Sequence, residues 1–356
     1  MKVCLIGDGL VSLTLANVLI QKDLFVDIYS VKKNNFNDQS RTLGISKSNI
    51  DFFNNEIMNI EKILWNIQKI KIFTGKNNKK ELLKFDNKSN QIFSIIRNNQ
   101  LQKILFDRLK RSKFVKFIGN LNVKKNHYKL IINSDPTHPI IKKYFYRKIE
   151  KNYSSVAYTT TILHEKIKNN IAYQNFTKNG PIAFLPVSDC ETSIVYSLKS
   201  LDKKNNLEMN SLVEKYNPIY SIKKINSWSS FGLRSSSLRN YYKGNILAFG
   251  DLLHKIHPLA GQGFNMSLRD IKLLSDLIDE KINLGLDLDE SICHEFQKKS
   301  QSKNFIFSSG IDWVYELFNI ESKINSNLLK KSINIIGSNK VVNGFLQKFA
   351  DSGIRY

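Results

Sequence analysis

The spacing of apolar residues at the start of the chain predicts a strand, a helix and a second strand. Lys2 to Ile6 is a short apolar run, which suits a buried strand. Leu10 to Ile20 is apolar over the length of a helix, and Phe25 to Tyr29 returns to the short run of a strand. The sequence GDGLVS separates the first strand from the helix. This order of elements, with glycines in the first turn, opens a dinucleotide-binding fold.

The residues of this first turn indicate how a dinucleotide would bind. Gly7 suits the tight turn, Gly9 lets a pyrophosphate approach the backbone, and Ser12 replaces the third glycine with another small residue. An acidic residue that bonds the ribose is expected at the end of the second strand, but Ser30 stands there and Asp27 comes three residues too early. A serine can bond a ribose hydroxyl, although without charge assistance. We expect a weakened ribose contact.

A separate segment late in the chain has the pattern of a strand, a loop and a helix. Ile246 to Phe249 is a short apolar run, and Phe264 opens a segment with apolar residues at helical spacing. Between them, Asp251 follows the strand end, where a carboxylate can accept hydrogen bonds from ligand hydroxyls. Gly261 and Gly263 let the backbone approach a planar ligand, and the helix directs its N–H groups to the same place. The alternative is an ordinary strand–loop–helix crossover with a glycine turn.

The middle of the chain has the period of antiparallel strands. We expect hairpin strands between Ile70 and Phe93, two short strands from Leu121 to Ile132, and a strand from Tyr153 to Leu163. A strand, a turn at Asn179–Gly180–Pro181 and two further strands come next. Helices are predicted for Ile45 to Phe53, for the amphipathic segment around Leu101 to Leu109, and from Leu284 to the end. The fold class is therefore α/β, with a Rossmann-like domain interleaved with an antiparallel sheet.

Charge and cysteine usage narrow the possible functions. The chain has 356 residues, with 54 Lys and Arg against 31 Asp and Glu, for a net charge of +23. This charge favours anionic surfaces, or it reflects a general over-use of Lys and Asn. The basic residues are dispersed, so we predict no nucleic acid partner. Cys4, Cys190 and Cys293 lack metal-binding spacing, and His254 and His257 lack a third ligand, so we predict no metal. We expect no signal peptide and no membrane-spanning helix.

The late segment GDLLHKIHPLAGQGFNMSLRD resembles the second FAD motif of the p-hydroxybenzoate hydroxylase superfamily, and most of all the ubiquinone-biosynthesis hydroxylases. The resemblance implies FAD as cofactor and places the Pro258 loop beside the flavin ring, which makes this loop the best candidate for a catalytic position. The segment QSRTLGISKSNIDFF is similar to the family segment that sets an arginine against FAD. The implied cofactor-binding residues are Gly7, Gly9, Ser12, Ser30, Arg41, Gln102, Asp251, Gly261, Gln262, Gly263 and Asn265.

Two further positions follow the family pattern with changes. Arg97 lies two residues before the position where the family often has an arginine near the flavin. Asp135 matches an Asp-Gly segment that the family links to FAD and the nicotinamide cofactor, but Pro136 replaces the glycine. Proline removes a backbone donor and the positive φ that glycine permits. The reductant is therefore NAD(P)H or another electron donor.

The resemblance also implies a domain organisation. Residues 1–150 and 235–285 would form a discontinuous FAD-binding domain, with 70–95 contributing to the substrate side. Residues 151–234 would form the substrate-domain sheet, and 286–356 a helical C-terminal region. That sheet would hold the aromatic substrate, although Tyr173, Phe176, Phe184 and Tyr196 are each more simply interpreted as packing residues.

The implied function is hydroxylation of the aromatic ring of a polyprenylated phenol in ubiquinone biosynthesis, with O2 and a C4a-hydroperoxyflavin. Such a substrate resides in the bilayer, so we expect a cytoplasmic protein peripherally associated with the inner membrane. A quinone-synthesis complex is a further candidate partner. The C-terminal helices would form a membrane-surface face or a cap over the FAD domain. Two alternatives remain open: a reductase of prenyl chains with the same fold, and a non-catalytic FAD-binding subunit, which the changes at Ser30 and Pro136 favour.

Overall fold

The computed structural model describes residues 1–30, 36, 41–74, 80–86, 92–120, 128–177, 179–199, 206–257 and 261–324. The helices are α1 Leu10–Ile20, α2 Lys47–Glu56, α3 Asn98–Lys110, α4 Ile140–Tyr144, α5 Asn206–Tyr216, α6 Gln262–Asn283 and α7 Glu290–Ile324. The strands are β1 Lys2–Ile6, β2 Phe25–Tyr29, β3 Thr42–Ser46, β4 Trp65–Ile67, β5 Lys69–Thr74, β6 Lys80–Asp86, β7 Phe93–Arg97, β8 Val115–Ile118, β9 Leu130–Asn133, β10 Lys148–His164, β11 Ile171–Thr177, β12 Gly180–Ser188, β13 Glu191–Leu198, β14 Ile222–Ile225, β15 Ser229–Leu238, β16 Tyr242–Lys243, β17 Ile246–Ala248 and β18 His254–Lys255.

The first sheet confirms the predicted strand–helix–strand opening. Within the described residues its six strands have the order β16-β17-β9-β1-β2-β8, and β1 pairs in parallel with β2 and β9. The strands are short and apolar because both sheet faces are covered. Leu5, Val26 and Leu13 lie in one core cluster with residues of α3, α6 and α7.

Two polar residues of this sheet belong to its core. Asp27 is 4% exposed, and its Oδ2 accepts hydrogen bonds from the Tyr128 hydroxyl at 2.6 Å and from Lys2 Nζ at 2.7 Å. Cys4 is fully buried, and burial raises the pKa of its thiol to about 12. In this environment Cys4 is an inert core residue.

The second sheet is antiparallel over most of its length and confirms the predicted hairpins. Its main path has the order β18-β15-β10-β13-β12-β11-β5-β6 among the described strands, with β14 added beside β10. The parallel exception is β11 beside β5. Tyr173, Phe184 and Tyr196 pack with Met209 and Val213 of α5, which confirms their interpretation as packing residues.

Phe176, the fourth aromatic residue considered for this sheet, packs elsewhere. It joins a cluster with Met266 of α6 and with Phe307 and Ile311 of α7. It is therefore also a packing residue, and it connects the second sheet to the two long helices.

One predicted boundary was wrong. Ile45 does not begin a helix, because β3 runs through Ser46 and α2 starts at Lys47. The alternation of Leu43 and Ile45 matches a strand, which pairs with β7 in a three-stranded sheet of order β3-β7-β4. Of the two strands predicted from Leu121 to Ile132, the second is β9, and residues 121–127 of the first lie outside the described residues. Strand β8 precedes both and was not predicted.

The long helices α6 and α7 follow the predicted C-terminal helical pattern as far as Ile324. The prediction for 325–356 lies outside the described residues. Over the part of the chain that the structure describes, no helix is both long and apolar enough to cross a bilayer.

Candidate active site

A cavity of about 1100 Å³ lies between the first turns of α1 and α6 and one face of the antiparallel sheet. Gly9, Leu10 and Val11 line it at the start of α1, and Gly261 to Asn265 line it at the start of α6. The remaining walls come from β3 and β7 and from strands β5, β10, β11, β12, β13 and β15. The cavity therefore joins the two segments that the sequence had singled out.

The start of α1 is shaped by two glycines with different tasks. Gly7 has φ +101°, and a Cβ there would lie 3.0 Å from Ser134 Oγ. Ser12 Oγ lies 2.6 Å from the same Ser134 Oγ. The absence of a side chain at Gly7 and this hydrogen bond at Ser12 together let the end of β9 pack against the turn between β1 and α1. Gly9 lines the cavity, and none of the described atoms would lie within 4 Å of a Cβ at that position. Backbone N–H groups at this helix start can therefore be approached by a phosphate.

The start of α6 offers a second set of backbone donors. Gly261 precedes the helix with φ +63°, a conformation that disfavours other residues, and a Cβ there would lie 3.3 Å from Gly44 N. Gln262 is 8% exposed, and its Oε1 is buried without a hydrogen-bond partner among the described residues. No side chain caps this described helix start. Its first N–H groups and its positive dipole end are thus available to a ligand.

Asn265 fastens the two backbones that meet here. Its Oδ1 accepts hydrogen bonds from Ser46 N at 3.0 Å and Asn49 Nδ2 at 2.8 Å. Its Nδ2 donates to Gly44 O at 2.8 Å. The side chain is 1% exposed, so its evident task is to position β3 beside the start of α6.

The other predicted cofactor residues occupy different positions around the cavity. Asp251, in a short 3₁₀ turn after β17, is exposed and lines the cavity. The Arg41 guanidinium lies 5.2 Å from the centre of the Phe231 ring, and both residues line the cavity. Gln102 also lines it and donates from Nε2 to Asp8 O at 3.5 Å. Ser30 ends β2, is outside the cavity lining, and donates its backbone N–H to Ile118 O.

Pro258, the best candidate for a catalytic position, lies outside the described residues. The segments on either side of it, Ile256–His257 and Gly261–Gln262, both line the cavity.

Two other family-matched residues are held by the protein itself. Arg97 donates to both carboxylate oxygens of Glu191, at 2.8 and 2.5 Å, and so connects β7 to β13. Asp135 Oδ1 accepts hydrogen bonds from Thr137 N at 2.8 Å and Thr137 Oγ1 at 2.7 Å, which fixes the turn, whereas Pro136 lines the cavity.

Sequence reasoning missed a buried hydrogen-bonded chain behind the cavity. His254 lines the cavity, and its Nε2 lies 2.5 Å from Asp270 Oδ2. Asn304 Nδ2 donates to the other Asp270 oxygen at 2.9 Å. These residues come from β18, α6 and α7, and no local pattern pairs them. These hydrogen bonds connect the cavity wall to both long helices, α6 and α7.

His257 sits in an aromatic cage. Its ring stacks on Tyr315 with centroids 4.2 Å apart and meets Tyr153 edge-on at 5.0 Å. His257 is 1% exposed, and this burial lowers the pKa of its imidazole to about 4. It is a neutral packing residue near neutral pH, and it holds the loop before Pro258 against α7.

The donor set fits FAD. Two helix starts offer backbone N–H groups for phosphates, and Asp251 offers a carboxylate for hydroxyls. The acid expected at the end of β2 is lacking, because Asp27 is committed to Tyr128 and Lys2. In the described part of the chain, no group of three His, Cys, Asp or Glu residues could hold a metal ion.

Comparison with known proteins agrees with this assignment. A family described as an FAD binding domain matches residues 157–284. The ubiquinone biosynthesis monooxygenase COQ6 of Xenopus tropicalis is 27% identical over 237 residues, which cover 54% of this chain and 51% of that protein. The 3-demethoxyubiquinol 3-hydroxylase of Escherichia coli K12 is 29% identical over 154 residues, covering 41% and 39%. The chain thus spans about half the length of the first of these relatives and less of the second.

Solved structures show the same fold at low sequence identity. The p-nitrophenol 4-monooxygenase PnpA of Pseudomonas putida has a TM-score of 0.80 at 12% identity, covering 99% of this chain and 98% of that one. Klebsiella pneumoniae HpxO, complexed with FAD and uric acid, has a TM-score of 0.77 at 12% identity, covering 99% and 97%. The chain therefore has the fold of these FAD-dependent monooxygenases, matches an FAD binding domain over residues 157–284, and is similar to ubiquinone-biosynthesis monooxygenases over about half of its length.

Proposed function

We propose that this protein is an FAD-dependent monooxygenase that hydroxylates the aromatic ring of a polyprenylated phenol in ubiquinone biosynthesis. The observation that carries the proposal is one continuous cavity with glycine-rich helix starts at one side and an apolar sheet face at the other. The first side suits the phosphates and hydroxyls of FAD, and the second suits an apolar aromatic substrate.

The chain's own residues would bind, orient and shield. The first turns of α1 and α6 would hold the pyrophosphate and the flavin ring, and Asp251 would accept hydrogen bonds from the ribityl hydroxyls. When bound, FAD supplies the reaction with O2. Apolar lining residues such as Ile95, Val195 and Ala183 would exclude water beside it. A phenol activates its own ring, so no prominent protein base is required.

Single-turnover product analysis tests this function. The purified protein would be loaded with FAD, reduced chemically, mixed with a prenylated phenol and exposed to air. We expect one additional hydroxyl group on the ring of the product and no additional hydroxyl group under anaerobic conditions. Recovery of unchanged phenol with peroxide release would contradict the proposal. Deletion in a tractable host should in addition lead to accumulation of an under-hydroxylated quinone precursor.

The electron donor in this proposal is NAD(P)H or another reductant. Pro136 stands in the turn that the family links to the nicotinamide cofactor, and its side chain lines the cavity. Rapid mixing of the FAD-loaded protein with NADH or NADPH separates the two cases. Fast bleaching of the flavin identifies direct use, and an unchanged spectrum identifies a separate donor.

We further propose that the protein works at a membrane surface, with its substrate drawn from the bilayer. The net charge of +23 favours anionic lipid. On α7, Phe305, Ile306 and Trp313 are all exposed and fall within about 100° of the helix circumference. Lys298 and Lys299 are exposed on the same side. The apolar residues first considered for this contact, Leu329 to Phe349, lie outside the described residues.

One observation favours a second candidate, a non-catalytic FAD-binding subunit of a quinone-synthesis complex. Asp27 bonds Tyr128 and Lys2, and Ser30 stands outside the cavity lining, so the end of β2 offers no carboxylate to a ribose. The single-turnover experiment decides between the two. A subunit of this kind would bind FAD and leave the phenol unchanged.

A further inference from the structure

The two faces of the antiparallel sheet carry side chains of different size. The face away from the cavity has large cross-strand pairs, such as Phe184 with Ile194 and Ile182 with Tyr196, and these belong to the core under α5. That face is filled by protein.

The face toward the cavity has much smaller residues. One cross-strand row runs Ile72, Gln174, Ala183, Val195 and Thr159, and every member lines the cavity. Directly opposed side chains in such a row lie about 5 Å apart. Ala183, in the middle and partly exposed, therefore leaves a trough between Gln174 and Val195.

The trough leads toward an entirely apolar end of the cavity. Ile70, Ala172 and Leu185 also line the cavity. They lie two residues farther along the same strands, about 7 Å away. Ala172 belongs to a small cluster with Ile95, against which Ile70, Phe93 and Leu185 pack. In the opposite direction the sheet presents Pro181 and Ser197, nearer to Phe231 and Arg41.

The cavity has to hold FAD as well as the substrate. Its volume of about 1100 Å³ exceeds the range of about 300–1,000 Å³ usual for small-molecule sites. FAD would bind at the helix starts, and Gly44, which a Cβ on Gly261 would approach to 3.3 Å, pairs with Ile95 of the apolar cluster. Hydrocarbon walls without an ionisable side chain favour a ligand group with no hydrogen-bonding capacity.

We propose that the trough over Ala183, continuing to Ile70, Ala172 and Leu185, is the subsite for the first isoprene units of the substrate's tail. The small side chains of Ala172 and Ala183 set the room available to the tail. This inference rests on the proposed function, since it presumes a prenylated phenol.

Binding of two ligands to the FAD-loaded protein tests the subsite. The ligands are phenol and ortho-geranylphenol, which differ only in two isoprene units, and calorimetry gives the ratio of their affinities. In the unmodified protein the geranyl compound should bind more tightly by about 10-fold or more, because the tail is withdrawn from water. Ala183→Phe should fill the trough and reduce the ratio to near one.

The matched control is Ile149→Phe, which adds bulk at a 48% exposed position of the same sheet and outside the cavity. It should keep the full ratio. If Ala183→Phe does not retain FAD, the partly exposed Ile72 provides a second variant, and Ile72→Ser should lower the ratio several-fold.

The outcomes separate the subsite from the function. Equal affinity for both ligands in the unmodified protein, or an undiminished ratio in Ala183→Phe, would overturn the subsite while ring hydroxylation could still be observed. Absence of binding and of turnover with either ligand would overturn the proposed function and the subsite together.

Discussion

At the scale of single residues, local chemistry in the sequence was enough to single out residues that line one cavity. Gly9, Asp251, Gly261 and Gln262 all line it, because a turn, a strand end and a helix start are each set by neighbouring residues. Contacts between distant segments could not be predicted this way. The pairing of His254 with Asp270 depends on how β18 packs against α6.

Asp251 gives the first prediction. Replacement by Ala should weaken FAD binding about 10- to 100-fold, because it removes a charge-assisted hydrogen bond of about 1.5–3 kcal/mol. The dissociation constant can be measured by flavin fluorescence. Asp287→Ala, at a carboxylate whose side chain is 63% exposed, is the control and should bind FAD normally. Equal affinity in Asp251→Ala would mean that this carboxylate does not contact the cofactor.

His257 gives a prediction about pH. Burial lowers the pKa of this imidazole from 6.5 to about 4, so the unfolded chain binds one more proton than the folded protein between these values. The contribution of His257 to the free energy of unfolding should therefore be fully present above pH 6.5. It should decrease as the pH drops toward 4, by on the order of 3 kcal/mol.

His257→Phe removes this titration and retains a ring between Tyr153 and Tyr315. Denaturant unfolding of both proteins across the window is the measurement. The stability of the variant should depend less steeply on pH than that of the unmodified protein. Parallel curves would show that His257 takes up its proton equally in both states.

At the scale of elements, prediction succeeded where one pattern covered a whole element. The bounds of β1, α1 and β2 match the sequence expectation, because each is a continuous run bounded by a turn. β3 was missed because its five residues lead directly into α2, and only pairing with β7 distinguishes the two. Register across the antiparallel sheet, which places Ala183 beside Val195, is likewise fixed by partners distant in sequence.

Asn265 gives a prediction about the packing of elements. Asn265→Ala should lower the free energy of unfolding by about 2–4 kcal/mol, because it leaves buried polar groups of Gly44, Ser46 and Asn49 without this partner. Denaturant titration measures the change. Asn59→Ala, at an exposed residue with a local hydrogen bond, should cost less than about 1 kcal/mol. A similar loss of unfolding free energy in the two variants would contradict the role of Asn265 in holding β3 against α6.

At the scale of the whole molecule, the site arises where the parallel sheet, the antiparallel sheet and the small β3-β7-β4 sheet meet. Arg97–Glu191 connects the small sheet to the antiparallel sheet, and Thr42 donates to Ser193 Oγ at 3.0 Å alongside it. The cavity thus has one wall made for a dinucleotide and one with small apolar side chains. Residues of the antiparallel sheet, of the small sheet and of the two helix starts all line the cavity.

The exposed face of α7 gives a prediction about the membrane. Binding to anionic vesicles should decrease as salt rises, because charge contributes to it. The double substitution Phe305→Ser and Trp313→Ser should weaken vesicle binding several-fold by removing exposed apolar area. Ile219→Ser, at a 52% exposed position outside α7, is the control. Sedimentation with anionic and neutral vesicles is the measurement, and equal partitioning of all variants would contradict the proposed surface.

The most direct test of the central claim follows oxygen into the product. The FAD-loaded protein would be reduced chemically, supplied with a prenylated phenol and exposed to isotopically heavy O2. The account predicts a product whose ring carries one heavy oxygen atom, detected by mass spectrometry. An unlabelled phenol, recovered from a protein whose flavin has reoxidised with release of peroxide, would contradict it.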